Sequence, residues 1–317
     1  MNSLVGRRKI LTSSLNSKRP IDRLKASWQL YVLLLPSLAY VLLFHYQPMY
    51  GLQIAFRDYS PGLGILGSQW VGLKHFLRFV SSPQFKIVVG NTLNLNILAL
   101  VCGFPLPIIL ALMLNDCGNL RYKKIVQNAT YIPHFISMVV LIGMVINFLS
   151  PTMGIITKLI VFLGGQPQNF LTKPEWFRPI YILSGIWQET GWGSIIYLAA
   201  LAGVDPDLHE AAQIDGASRL QRIWHINLPG IQPTIITVFI LRCGRIMDVG
   251  FEKVFLLQNA LNLSSSEVIS TYVYRVGLLG AQFSYSAMIG FFNSIINFIM
   301  ILTINSIIRR ISTTSLW

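Results

Sequence analysis

The chain reads as an all-α, polytopic membrane protein with six transmembrane helices, and three observations carry that reading. Hydrophobic residues make up 53% of the 317 residues and charged residues only 12%, where a water-soluble domain carries about 25% charge. The apolar residues gather into runs of about 20, the length a bilayer core requires of a helix. The basic residues left between the runs concentrate in alternate gaps, as the positive-inside rule demands of a multi-pass chain. Mean hydropathy is +0.56 and net charge is +13. In a membrane protein such a charge meets anionic lipid. No nucleic-acid recognition module accompanies it, so nucleic acid is not an expected partner.

The elements follow in order. Residues 1–26 form a basic tail with Arg7, Arg8, Lys9, Lys18, Arg19, Arg23 and Lys25. Residues 27–317 form one six-span domain. The first span, Trp28 to Phe44, is uncleaved, because His45–Tyr50 offers no small-residue cleavage site, and Pro36 is expected to kink it. Five further spans are expected at 90–114, 128–149, 180–202, 231–249 and 287–308. The outer loop 50–87 carries a helix over 72–86. Ile155–Leu163 is too short to span and is expected to lie on the membrane surface, while 250–286 is an ordered connection. The tail, Arg121, Lys123 and Lys124, Arg219 and Arg222, and Arg309 with Arg310 fall on one side. That side is assigned to the cytoplasm, with both termini on it. Cys102, Cys117 and Cys243 lack metal or redox spacing, and Cys102 and Cys243, inside apolar runs, read as small buried residues.

One polar stretch stands out, the loop over 203–229. Asp207 and Glu210 have capping-box spacing. Leu208, Ala211, Ala212 and Ile214 then give a short helix an apolar face with small residues at its centre. Gly216 suits the left-handed residue that ends a helix, a second short helix is expected over Ser218–His225, and Pro229 and Pro233 return the chain to the bilayer. The result is a helix–turn–helix knob shaped to insert into a partner.

Polar residues inside the spans are costly and usually face a bundle interior or a water-filled cavity. Trp187, Gln188, Glu189 and Trp192 interrupt the fourth span. Arg242, Arg245 and Asp248 interrupt the fifth, at spacings that would share a helix face. Asn293 and Asn297 line one face of the sixth, and Asn91 and Asn94 one face of the second. Hydrogen-bonding groups beside aromatic faces suit a sugar, so the residues named in the fourth, fifth and sixth spans are the candidate substrate path. For any single residue a bland role weighs more: amides joining helices, Glu189 or Asp248 neutralising an arginine, a tryptophan anchoring at the interface. The arginine pair could also hold an acidic sugar. There is no G-x-x-x-x-G-K-[ST] phosphate cradle and no H-E-x-x-H, G-x-S-x-G or C-x-x-C. The five histidines share no ligand spacing. Neither a catalytic residue nor a metal or cofactor is expected in this chain.

Glu210-Ala211-Ala212, then Asp215-Gly216, then Ile226-x-Leu228-Pro229 resembles the EAA coupling-loop signature of binding-protein-dependent type I ABC importer permeases. Pro48–Tyr59, with Trp70-Val71-Gly72-Leu73 and Phe76, resembles the carbohydrate-uptake branch of that family. The long periplasmic insert of the maltodextrin-type permease is absent. The resemblance implies a permease working with a second, different EAA-type permease, two cytoplasmic ATPase subunits that bind ATP and Mg, and an extracytoplasmic solute-binding protein, with an oligosaccharide as substrate. It implies that Glu210, Ala211, Ala212, Asp215, Gly216, Leu228 and Pro229 couple the chain to the ATPase. Two alternatives stay open. A permease for a polyamine, phosphate or peptide would be separated by what the binding protein holds. A gradient-driven transporter would show paired discontinuous helices with intramembrane acids.

Overall fold

The computed structural model describes residues 28–311, and the basic tail at 1–26 lies outside them. α1, Trp28–Phe56, is a 29-residue rod. It is regular to Val41, opens into a π turn over Leu42–Tyr46 and tightens to a 3-10 segment over Tyr50–Phe56. Pro36 lies within the regular part, so the departure from α geometry falls after the proline rather than at it. Every residue from Trp28 to Tyr50 is exposed.

The chain then forms an antiparallel pair, β1 (Arg57–Asp58) against β2 (Gln69–Trp70), registered Arg57 to Trp70 and Asp58 to Gln69. A short helix, α2 (Lys74–Val80), follows. Lys74 Nζ donates to Asp58 Oδ2 at 2.6 Å, and His75 Nε2 lies 3.0 Å from Asp58 Oδ1. The Lys74 hydrogen bond and charge hold the Asp58 carboxyl below its ordinary range, against a smaller opposing effect of desolvation. A carboxyl lowered on folding contributes stability above its unfolded pKa of about 4 and loses it as pH falls through the folded value. Asp58→Asn should therefore flatten the acid side of the melting-temperature profile below about pH 4. Because the pair is solvent-exposed the change should be small; an unaltered profile would show that Lys74 and His75 do not hold this turn.

α3, Pro83–Asn115, is a 33-residue span whose first turn is capped by Ser82 Oγ accepting from Phe85 N. α4 (Leu120–Tyr131) starts where Asn119 Oδ1 accepts from Arg121 N and Tyr122 N. It runs through a 3-10 turn at Ile132–Phe135 and meets α5 (Met138–Phe148) at a bend of 104°. The straight span expected at 128–149 is thus corrected. Pro133 has no N–H to donate, and Ile136 and Ser137 are extended at ψ 129° and 147°. α6 (Ile155–Phe162) is the short helix expected there.

α7, Pro174–Leu201, begins earlier than expected and runs for 28 residues. α8 (Pro206–Ile214) and α9 (Arg219–Cys243) form the knob and the fifth span. α10 (Phe251–Leu257), α11 (Ile269–Val273) and α12 (Phe283–Ile311) complete the chain. Among the described residues four helices are long and apolar enough to cross a membrane, or up to five if the bent pair is one span. α7 is a further element of spanning length, and its polar centre keeps it out of that set.

α7 is the centre of the packing. Its Phe177 and Ile180 join Leu95 of α3, Leu141 and Ile142 of α5, and Val254 and Leu257 of α10. Its Tyr197 and Leu201 join Ile108 and Leu112 of α3 and Ile231 of α9. A separate cluster ties Phe79 of α2 and Val88 of α3 to Tyr272, Tyr285 and Ile289. Lipid is as apolar as leucine, so such clusters cohere through close fit and buried hydrogen bonds. The fit is tightest at Gly191, where a Cβ would stand 2.0 Å from the Thr130 carbonyl oxygen of α4. Cys243 is buried as expected, whereas Cys102 is exposed on the flank of α3.

Candidate functional site

The knob is built from local hydrogen bonds. Pro206 occupies the first turn of α8 and Asp205 caps it, its side chain accepting from Asp207 N at 3.0 Å. This corrects the expected Asp207–Glu210 box: proline's fixed φ favours the first helical position and moves the start earlier. At the other end Gly216 has φ +78°. Ala217 N donates to Ala212 O at 2.8 Å and Gly216 N to Gln213 O at 3.1 Å, the paired bonds of a Schellman turn.

Ser218 and Gln221 form a reciprocal capping box that opens α9. The second helix does not end at His225 as expected; it continues through a π turn at Ile223–Asn227, then Leu228 and Pro229, to Cys243. The wider turn accommodates Pro229, which has no N–H to give. Glu210, Ala211 and Asp215 are exposed. So are Leu208, Leu220, Trp224 and Ile214, the last at 86%. Arg219 Nη1 lies 3.7 Å from Asp116 Oδ2, which places the knob on the same face as the turn before α4, as the charge pattern requires.

The polar intramembrane residues separate into two groups. Asn293 and Asn297 donate to Asp248 Oδ1 at 2.9 and 3.0 Å, and Met247 N donates to Asn297 Oδ1 at 3.0 Å. These amides pin the turn after α9. Asn91 is buried, donating to Ser264 O and Glu267 O and accepting from Arg178 Nη2; Asn94 is exposed. α9 ends at Cys243, capped by Gly244, so Arg245 and Asp248 sit in turns and share no helix face with Arg242. The expected ion pairs are also corrected. Asp248 is taken up by the two asparagines. Glu189 Oε2 stands 3.3 Å from His134 Nδ1, and the His134 ring stacks on Trp192 at 4.4 Å and 2°. Trp192 thus braces the bend between α4 and α5.

The second group faces two adjoining cavities. One, of about 390 Å³, is lined by Asn96 and Leu100 of α3 and by Arg242, Arg245 and Asp248. The other, of about 240 Å³, is lined by Tyr181, Gly185, Gln188 and Glu189 of α7, Arg242, and Lys253 of α10. Ala99 and Arg242 border both. Trp187 is 43% exposed and lines neither. Lys253 is the residue that sequence reasoning missed. It is buried, with Nζ 4.6 Å from the Tyr181 ring centroid. Its signal was faint: a lone cation sharing an apolar run with Val254 and Leu257.

A bundle centred on a polar span, with an exposed knob at one end and polar-lined cavities inside, has the build of a membrane permease. Residues 103–313 match the model of the binding-protein-dependent transport system inner membrane component, and the chain belongs to that family. It is 48% identical to the polygalacturonan/rhamnogalacturonan transport system permease protein YteP of Bacillus subtilis, over 92% of this chain and 91% of that one. It is 44% identical to LplB of the same organism, over 93% and 92%. A crystal structure of a bacterial ABC transporter that imports the acidic polysaccharide alginate superposes with TM-score 0.86 at 44% identity, covering 93% of this chain and 100% of that one. The alginate transporter in complex with its alginate pentasaccharide-bound periplasmic protein gives 0.87 at 43%, covering 94% and 100%. The chain has the type I importer permease fold.

Proposed function

We propose that the chain is one permease subunit of an ATP-driven, binding-protein-dependent importer of oligosaccharides, coupled to cytoplasmic ATPase subunits through α8 and Gly216. The knob carries this reading: a Schellman-terminated helix with apolar residues left exposed among the described residues, in a chain of this family. A second, different permease completes the path. Two ATPase subunits bind ATP and Mg, and a solute-binding protein delivers sugar from outside. Both termini and the knob face the cytoplasm. α8 seats in a cleft of one ATPase subunit, with Ala211 and Ala212 allowing close approach and Glu210 making a polar contact; Leu228 and Pro229 lead its motion into α9. Closure of the ATPases on ATP rocks the two bundles so that the cavity opens outward, and hydrolysis returns it inward.

The test is ATPase activity of the assembled complex in liposomes, with and without oligosaccharide-loaded binding protein. Loaded binding protein should stimulate the wild type. Ile214→Asp, which places a charge on the exposed apolar tip, should cut that stimulation about tenfold, the effect of losing one buried apolar anchor. An absence of stimulation in the wild type overturns the importer reading. Full stimulation of an assembled Ile214→Asp complex overturns the role of α8.

A further inference from the structure

The short helix α6 is closed at both ends by its own hydrogen bonds. At its start Lys158 N donates to Gly154 O at 2.9 Å, and Gly154 sits hard against α5, where a Cβ would stand 2.4 Å from Phe148 O. At its end Gly164 has φ +85°. There Gly164 N donates to Val161 O at 3.0 Å and Gly165 N to Ile160 O at 2.8 Å, the paired bonds of a Schellman turn. Among the described residues one face of α6 meets the bundle. It does so through buried Thr157 and through Ile160, which packs on the cluster of Leu149 and Phe177. At about 100° per residue, Ile155, Leu159 and Phe162 form a stripe on the opposite side, and Phe162 is 85% exposed. Every exposed residue of α6 other than Lys158 is apolar.

The depth of α6 follows from α7. With Leu201 at the membrane edge beside the knob, a rise of about 1.5 Å per residue carries α7 through about 30 Å of hydrocarbon by Tyr181. Phe177, one turn beyond, shares its cluster with Leu149 at the end of α5 and with Ile160. α6 therefore lies at the edge of the hydrocarbon in the leaflet opposite the knob, and its 8 residues are too few to cross. Its apolar surface continues that of α5, where Val139, Val140 and Ile146 are exposed. On its other side Gln166, Gln168 and Asn169 are exposed in a polar turn. A protein that docks and leaves meets a surface about 57% apolar, whereas α6 offers apolar side chains and one lysine. That composition matches a helix lying in the interface, with its stripe among acyl chains and a cation reaching the headgroups.

We propose that α6 is a lipid-bound anchor. Its Ile155–Leu159–Phe162 stripe is seated in the leaflet opposite the knob, and its Lys158 ammonium rests on the phosphate of an anionic phospholipid. Through Gly154 the anchor holds the far end of α5, and so fixes the depth of the bent span. Such an anchor serves the chain whatever it carries.

The test places the photo-crosslinker p-benzoylphenylalanine at Phe162, and separately at Leu159, in the assembled complex. The vesicles hold equal parts phosphatidylglycerol and phosphatidylcholine, and adducts are identified by mass spectrometry. Both positions should give mainly lipid adducts, and the same label at Gln166 should give few. Phosphatidylglycerol should exceed phosphatidylcholine among the Phe162 adducts about fivefold, the weight of one lysine at an anionic surface. Lys158→Gln should bring the two lipids level, and Lys158→Arg should keep the excess. Adducts with a protein chain at Phe162 and Leu159, or no adducts there, overturn the anchor. A phosphatidylglycerol excess that survives Lys158→Gln, or is missing from wild type, overturns the part given to Lys158.

Discussion

Gly191→Val should abolish assembly of the permease, with no monodisperse species after extraction and membrane expression reduced severalfold. The Cβ that valine brings would lie 2.0 Å from Thr130 O and 2.4 Å from its carbonyl carbon. Both are backbone atoms, so no rotamer change relieves the clash, and α4 must lift off α7. Overpacking of a core by side chains alone costs about 1–3 kcal/mol, and a backbone clash stands at or above the top of that range. The lift would also part the His134–Trp192 stack and move Glu189 in the cavity wall. Gly90→Ala is the control. Nothing lies within 4 Å of its Cβ site, and alanine in a helix interior gains up to about 1 kcal/mol over glycine. Its melting temperature should hold or rise. Wild-type behaviour of Gly191→Val would mean that the two helices cross less closely than described.

Gly216→Pro should leave the complex assembled and abolish stimulation of its ATPase by loaded binding protein. Gly216 stands at φ +78° with no atom within 4 Å of its Cβ site, so the constraint is purely conformational. Proline fixes φ near −65° and removes the N–H, which breaks the bond to Gln213 O and the turn that stops α8. The damage stays in the knob, because its exposed residues belong to none of the three apolar clusters. Gly216→Ala, strained but able to donate, should keep an intermediate stimulation. Full stimulation in an assembled Gly216→Pro complex would separate coupling from this turn altogether.

The bilayer makes much of this fold legible, because apolar runs of spanning length have few alternatives. The helices around 90–114 and 287–308 were readable on that ground, and the knob was readable because Gly216 and Ser218 act through bonds only a few residues long. What escaped depends on groups distant in sequence. The end of α9 at Cys243 is set with help from Asn297, which accepts from Met247 N, 50 residues before it. The bend at Pro133 could equally have been a mild kink until α7 presented Gly191 for α4 to cross against. The polar residues of the spans could be singled out by their cost in a bilayer, yet their division into braces and cavity lining follows from partners that spacing does not reveal. Lys253 escaped for the opposite reason: it stands outside every apolar run of spanning length, and tertiary packing alone brings it beneath α7.

The full exposure of α1 from Trp28 to Tyr50 has a consequence for how much each stretch of the chain specifies. A residue in the α7 clusters is chosen by shape, since its neighbours accept one outline. A residue of α1 before Gly51 meets no such outline among the described residues and is chosen by affinity for hydrocarbon, which many orders of the same letters satisfy. The fold of the isolated subunit is therefore indifferent to the order of residues between Trp28 and Val41. Any ordering that matters there must be read by a surface outside the described residues, and a composition-preserving shuffle of that stretch would show whether such a reader exists.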